Sequence, residues 1–210
     1  EHVRSGDLGF RIGPCINAAG RLDDAALGLK MLTTTDEREV VKLVNELITL
    51  NEERKELTEQ ATNNAIAQIE EMKALEKPVL VIYLKDCHES VAGIVAGRIR
   101  EKYYRPAYVL TDGEKGLKGS GRSIPGYHMQ QALQNCQELL TEFGGHALAA
   151  GFSLPKENLD KFRDTLNEQC NLTDEELVEK ISFDMELELL EATKNLVEQL
   201  HYMEPFGESN

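Results

Sequence analysis

The chain has 210 residues, enough for one sizeable domain or two small ones with a real core. Its 37 acidic against 23 basic side chains give a formal net charge of −14, which excludes a protein that coats nucleic acid through overall charge. No apolar run approaches the ~20 residues needed to cross a bilayer, and no signal-peptide pattern opens the chain, so neither a membrane span nor export is expected.

The chain opens without a methionine on EHVRSGDLGF, in the middle of a pattern, and is expected to be a piece of something longer. A Gly/Pro-punctuated loop is followed by INAAGRLDDAALGLKML, which has helical spacing broken at Gly20 and Gly28. Asn17 and Arg21 lie four apart on one helical face, placed to share an anionic or amide-bearing partner; a helix cap and a surface arginine fit the same residues. Asp23 and Asp24 point about 100° apart on a helix and make a poor metal pair. Thr34 followed by Glu37 fits a capping box. A long helix is predicted from there to about Met72, roughly 50 Å at ~1.5 Å per residue. Its apolar stripe weakens after Leu50, so the second half is expected to face solvent, as a strut between two globular parts.

After Pro78 the rhythm changes. PVLVIYL reads as a buried strand, Val91, Ile94, Val95 and Ile99 mark a helix ending near Tyr103, and PAYVLTD reads as a second strand. GLKGSGRS is a strand or turn carrying Gly119 and Gly121. Met129, Leu133, Cys136 and Leu140 mark another helix, GFSLP a short strand, and Leu159, Phe162 and Leu166 a further helix. Strands alternating with helices at this spacing predict a layered α/β domain over about 78–170, preceded by the long connecting helix. The tail is predicted to hold one alternating strand, ISFDMELEL, then a helix to about His201. The cysteines (Cys15, Cys87, Cys136, Cys170) are dispersed with no C-x-x-C pair, which predicts reduced thiols and a cytoplasmic setting.

Acid concentrates in Asp36–Glu76 and after Thr173, whereas between Gly97 and Arg122 seven basic residues outnumber Glu101, Asp112 and Glu114. Such a local basic surface can capture a polyanion on an acidic protein. Within GLKGSGRSIPGYH, Gly119 and Gly121 permit positive φ and an inward-turned nest of N–H groups. Ser120 adds a short donor, and Arg122 a planar fork matching two phosphate oxygens. A glycine hairpin with a solvated arginine is the alternative. In EFGGHALAAGFSLP, Gly144 and Gly145 would bring backbone amides close to a ligand and His146 could donate to a phosphate or leaving group; a tight loop between helices is the alternative. His88 sits near a helix N-terminus, where a capping role is expected. There is no D-H-H, H-E-x-x-H, Walker A or dinucleotide fingerprint.

The segments IGPCINAAGRLDDA, HESVAGIVAGRIREKYYRPAYVL, GSGRSIPGYHMQQAL, FGGHALAAGFSL and LHYMEPFGESN, in this order, resemble the RecJ single-stranded-DNA exonucleases of the DHH phosphoesterase superfamily. The resemblance implies a bilobal core. Its first lobe holds Mn2+ or Mg2+ and hydrolyses phosphodiesters; its second, the DHH-associated lobe, grips substrate across the cleft. Residues 1–35 then resemble the end of the first lobe, 36–77 the interlobe helix, 78–170 the DHH-associated domain, and 171–210 the approach to an OB-type domain. It also implies substrate or phosphate contacts from Asn17, Arg21, Gly119, Ser120, Gly121, Arg122, Ser123, Gly144, Gly145 and His146, with His146 the catalytic candidate. The implied partner is single-stranded DNA, with unspecified repair and recombination proteins and no membrane. No metal is expected on these residues, so the isolated chain should be inactive. A DHH-type oligoribonuclease, a cyclic-dinucleotide phosphodiesterase and a non-catalytic nucleic-acid-binding module remain alternatives.

Overall fold

Along residues 3–206, which a computed structural model describes, the helices and strands alternate as the periodicities require. They run α1 (Ser5–Asp7), α2 (Gly13–Leu22), α3 (Ala26–Thr33), α4 (Glu37–Glu71), β1 (Leu80–Tyr83), α5 (Glu89–Tyr103), β2 (Ala107–Gly113), β3 (Gly116–Arg122), α6 (Met129–Asn135), β4 (Glu142–Gly145), β5 (Ala149–Leu154), α7 (Leu159–Glu168) and α8 (Lys194–His201). Glu1, His2 and the last four residues of the LHYMEPFGESN motif lie outside the described residues.

The chain forms two compact units: Gly13–Glu179 is one, and the terminal segments, up to Ile12 and from Lys180, make the other. The boundaries expected at 35 and 77 both fall inside the larger unit, because α2 and α3 pack on α4, which in turn packs on α5 and β1. In the smaller unit, residues 181–189 form no strand, and Ile181, Phe183 and Met185 stand exposed. Alternation alone does not make a strand without a neighbour to complete its hydrogen bonds, and among the described residues that unit offers none.

The larger unit is built on a five-stranded sheet in the order β1-β2-β3-β5-β4. β1 and β2 are parallel and joined through α5; the remaining pairs are antiparallel. On one face Ala61, Ala65 and Ile69 of α4 and Val91, Val95 and Ile99 of α5 cover Leu80, Ile82 and Val109. On the other, Met129 and Leu133 of α6 and Phe162 and Leu166 of α7 cover Val81, Tyr108, Leu110 and Phe152. Burial on both faces is why β1 and β2 read as unbroken apolar runs.

Three local expectations need correction. The cap of α4 is Asp36, not Thr34: the Asp36 carboxylate accepts from Arg38 N–H at 2.9 Å and Glu39 N–H at 3.5 Å, while Thr34 Oγ1 donates to Glu39 Oε2. The second half of this 35-residue helix, about 52 Å long, is not a bare strut. Ala61 and Ala65 are buried in one cluster with Val91 and Val95 of α5, and Thr58 and Thr62 are buried on the same helix, their hydroxyls donating to Arg54 O and Thr58 O. Finally, FGGH is not an interhelical loop: Phe143–Gly145 belong to β4, which forms a hairpin with β5.

All four cysteines are free thiols. Burial pushes Cys87 and Cys136 up to about 11 from the ordinary 9.0. The folded chain thus holds these protons more tightly than the unfolded one, so their contribution to stability is complete below pH 9 and declines as pH rises towards 11. At pH 8 a thiolate-directed reagent is expected to label Cys87 and Cys136 slowly in the native chain and all four thiols quickly in denaturant. Native labelling of all four at one fast rate would contradict the burial.

Candidate nucleic-acid interface

Side chains alternate along β3. Leu117, Gly119 and Gly121 face the α6/α7 core, so Lys118, Ser120 and Arg122 face the side of α5. The end of the sheet built by β3, β5 and β4 is lined on that side by small and polar groups. A recess of about 320 Å³ opens there between the start of α5 and the strands, lined by Ser90, Thr111, Lys118, Ser120, Gly151 and Ser153 among others. Lys118 pairs with Glu89 at its rim at 2.9 Å.

Arg122 lies along a glycine track on α5. A methyl group on Gly93 would come 3.0 Å from Arg122 Nη2 and 3.5 Å from Ser120 Oγ, and one on Gly97 4.0 Å from Arg122 Cγ. The close approach of helix and sheet is left to Ala92, Val95 and Ala96, which are buried. The guanidinium donates to Gly121 O at 2.7 Å and has no carboxylate partner among the described residues. Burial first, then the neighbouring Arg21 and Arg100, hold its pKa below the usual arginine value. An arginine stays charged regardless, so the site keeps an unneutralised, half-buried cation.

Arg21 reaches the same corner from α2, where its Nη1 donates to Ser90 O at 2.6 Å. Ser90 lies in the first turn of α5, with its Oγ 2.7 Å from His88 Nδ1, and His88 caps the helix through the Ser90 N–H. Asn17 stands exposed one turn before Arg21.

The β4–β5 hairpin completes the corner. Ser120 pairs with Gly151 and Gly151 with Gly144, so Ser120 and Gly144 share a row two strands apart, about 10 Å. Arg122 pairs with Ala149, whose carbonyl accepts the His146 N–H at 2.7 Å. Gly145 has φ +150°, and a Cβ there would sit 2.4 Å from Ala149 O, so the hairpin demands glycine. Gly144 has nothing within 4 Å of a Cβ position and leaves exposed backbone. Ser123 N–H to Leu148 O and Met129 N–H to Ala147 O, at 2.9 and 2.8 Å, tie the hairpin tip to the chain beyond β3. The His146 side chain is exposed and has no hydrogen-bond partner among the described residues.

The structure therefore gathers Arg21, Ser120, Arg122, Gly144, Gly145 and His146 at one corner of the sheet. Three expected ligands behave otherwise. Gly119 and Gly121 form no nest: both lie in regular strand without positive φ, and glycine is needed there because Phe152 and Met129 press on the opposite face. Ser123 is buried and its Oγ donates to Tyr127 O at 2.8 Å, which holds the turn after β3. Arg54, half-buried on α4 with its fork on Asn51 Oδ1, and Ser90 escaped sequence reasoning. Arg54 is hidden in the charged run NEERKE; the one signal was Asn51 on the otherwise apolar stripe. Among the described residues, no three His, Cys, Asp or Glu side chains are grouped to hold a metal ion. No helix among them is long and apolar enough to cross a membrane.

A model of the DHHA1 domain matches residues 76–172. The single-stranded-DNA-specific exonuclease RecJ of Bacillus subtilis is 34% identical over 207 residues, covering 97% of this chain and 26% of the relative. That of Escherichia coli is 38% identical over 176 residues, covering 80% and 30%. The chain spans about a quarter to a third of the length of these relatives. Among solved structures, Thermus thermophilus RecJ in complex with Mn2+ superposes with a TM-score of 0.71 at 34% identity, over 77% of this chain and 24% of that one. The exonuclease RecJ bound to manganese gives 0.71 at 34%, over 79% and 41%. The chain belongs to the RecJ family, and residues 76–172 are its DHHA1 domain.

Proposed function

We propose that the chain is the substrate-gripping portion of a 5′→3′ exonuclease specific for single-stranded DNA, a hydrolase of DNA repair and recombination working in the cytoplasm. The observation that carries this reading is Arg122: a half-buried cation without a carboxylate, laid along Gly93 beside Ser120, whose row across the sheet ends on the exposed backbone of Gly144. Such a fork, with a hydroxyl and open backbone in one row, suits the non-bridging oxygens of a phosphodiester. Arg21 adds charge from the opposite wall, and His146 supplies a donor for the phosphate or the leaving oxygen. In this reading residues 1–35 end a DHH lobe, 36–77 bridge the lobes, 78–170 form the DHH-associated domain, and 171–210 lead towards an OB-type domain. Hydrolysis depends on Mn2+ or Mg2+, ions with which RecJ relatives were solved, held outside the residues described here. The part these residues play is to bind and orient. Free thiols throughout agree with a reducing compartment.

The test is fluorescence anisotropy with 5′-labelled oligothymidylate, its duplex, and ribo-oligomers of two to five nucleotides. Single-stranded DNA is expected to bind most tightly. A preference for the short ribo-oligomers would transfer the chain to the oligoribonuclease reading. With manganese added, the 210-residue chain alone is expected to release no mononucleotides, and processive release would refute the division of labour.

A further inference from the structure

On the opposite side of the sheet from Arg122, a cavity of about 240 Å³ lies between α6, the end of α7 and the chain at 172–176, all within Gly13–Glu179. Its floor is apolar, from Ala132, Leu166, Leu172 and the ring of Tyr127, whose hydroxyl is engaged 3.3 Å from that of the buried Tyr108. Its rim carries four carboxamides, Gln131 and Asn135 on α6 and Gln169 and Asn171 at and beyond the end of α7. None of these four side chains has a hydrogen-bond partner among the described residues. Nearby amides in the same unit are used by the fold. Asn158 Nδ2 donates to Leu139 O at 3.0 Å, Asn167 links the Val79 N–H to Arg163 O, and Gln68 holds both backbone groups of Tyr83.

The wall of the cavity is built rather than accidental. Gly126 has φ +93°, and a Cβ there would stand 3.3 Å from both Glu176 Oε1 and Leu172 Cδ2, so the chain after α7 closes onto the turn after β3. Glu176 Oε2 accepts from the N–H and the hydroxyl of Thr173, each at 2.9 Å, which fixes that wall. No lysine or arginine lines the cavity, and Glu176 puts a carboxylate on it, so a phosphate is disfavoured there. The volume lies below the ~300–1,000 Å³ of drug-sized sites and suits a single planar ring system. Each carboxamide offers one donor group beside one acceptor, the pairing by which Asn and Gln read adenine. Adenine presents such a pair on two edges, N6 with N7 and N6 with N1, whereas thymine presents it on one. The exposed His128 at the rim adds an imidazole face on which a base can stack.

We propose that this cavity binds a nucleobase, adenine being the best matched, with its ring on Tyr127 and Leu166 and its edges on Gln131, Asn135, Gln169 and Asn171. The base comes either from a free nucleoside or from a strand. A strand has access because the Met129 N–H donates to Ala147 O at 2.8 Å, which places the His128 rim beside the hairpin tip that carries His146. The site goes beyond the phosphate grip and does not depend on it.

The experiment follows the side-chain amide resonances of the nitrogen-15-labelled 210-residue chain by NMR during titration with adenosine, thymidine and oligodeoxyadenylate. Adenosine is expected to shift the amides of Gln131, Asn135, Gln169 and Asn171, and to bind about fivefold more tightly than thymidine, the worth of one further neutral hydrogen bond. Asn135→Leu and Gln169→Met keep the bulk and remove the amide, and each should weaken adenosine about fivefold. Both positions are exposed, so neither change should unfold the chain. Arg122→Gln should leave adenosine binding unaltered, so the loss of the grip and the loss of this site read out separately. Oligodeoxyadenylate weakened by Gln169→Met supports the site with a base of a strand as its ligand; adenosine weakened with the oligomer unaffected supports it with a free nucleoside. The site is wrong if adenosine, up to its solubility limit, moves none of the four amides, or if neither substitution changes its affinity. Triglycine amide shifting the same groups as strongly as adenosine would also overturn it, in favour of a peptide.

Discussion

Arg122→Gln is expected to lower the affinity for single-stranded DNA ten- to a hundredfold while leaving the melting temperature unchanged or raising it. Both halves follow from one geometry. In the free protein the Arg122 charge is half-buried, held by a single carbonyl at 2.7 Å, and repelled by Arg21 and Arg100. Removing an uncompensated buried charge relieves desolvation and repulsion, and glutamine keeps enough bulk to cover the glycine track on α5. In the bound state the same charge makes a forked, charge-assisted contact, and its loss costs about 1.4–2.8 kcal/mol, which is the stated range of affinity. The salt slope should fall by about 0.7. Anisotropy titrations at two salt concentrations and a thermal melt of the same sample check all three quantities. A structural arginine gives the opposite signature, a lowered melting temperature with binding unchanged, and that pair of results would return Arg122 to a packing role.

How far this site could be read from sequence depends on what each residue does with its neighbours. β1 and β2 were legible because burial on both faces writes itself as an apolar run, and α7 because its apolar residues keep helical spacing. The packing of α4 was not: Thr58, Ala61, Thr62 and Ala65 are buried, and a small residue looks the same on a solvent face. Ser120 and Arg122 were visible as a phosphate-like pattern, but Gly119 and Gly121 were misread within it. A missing Cβ serves a positive φ and a close ring contact equally, and only the strand register distinguishes them. Ser123 carries the same hydroxyl as Ser120, yet it is turned inward onto Tyr127 O. Arg54 lay beyond local reading, because only the fold buries Asn51, the acceptor that holds its guanidinium.

Gly119→Ala is expected to destabilise the chain by about 3 kcal/mol, near the top of the range for overpacking a core. The added Cβ would stand 2.2 Å from Phe152 Cζ and 2.6 Å from both Cε atoms. The ring cannot retreat, since it packs edge-on to Tyr108 at 5.6 Å and against Phe162 at 5.1 Å. The backbone cannot yield either, because Gly119 is paired with Leu110 on one side and Phe152 on the other. For a unit of this size the loss corresponds to about 6–12 °C in melting temperature. Gly121→Ala should cost less, about 1 kcal/mol, since its tightest contacts are with the flexible Met129, Sδ at 2.5 Å and Cε at 2.9 Å, while Tyr108 Cδ1 stands at 3.1 Å. Gly144→Ala, with open space around it, should fall within about 0.5 kcal/mol of the parent. Circular-dichroism melts of the three variants measure the order directly. The ranking bears on function because side chains along a strand alternate: Gly119 under Phe152 is what turns Ser120 and Arg122 to the face of α5. A Gly119→Ala protein that melts with the parent would mean that β3 is rotated or shifted by one residue, and the phosphate grip would then have neither its hydroxyl nor its guanidinium in place.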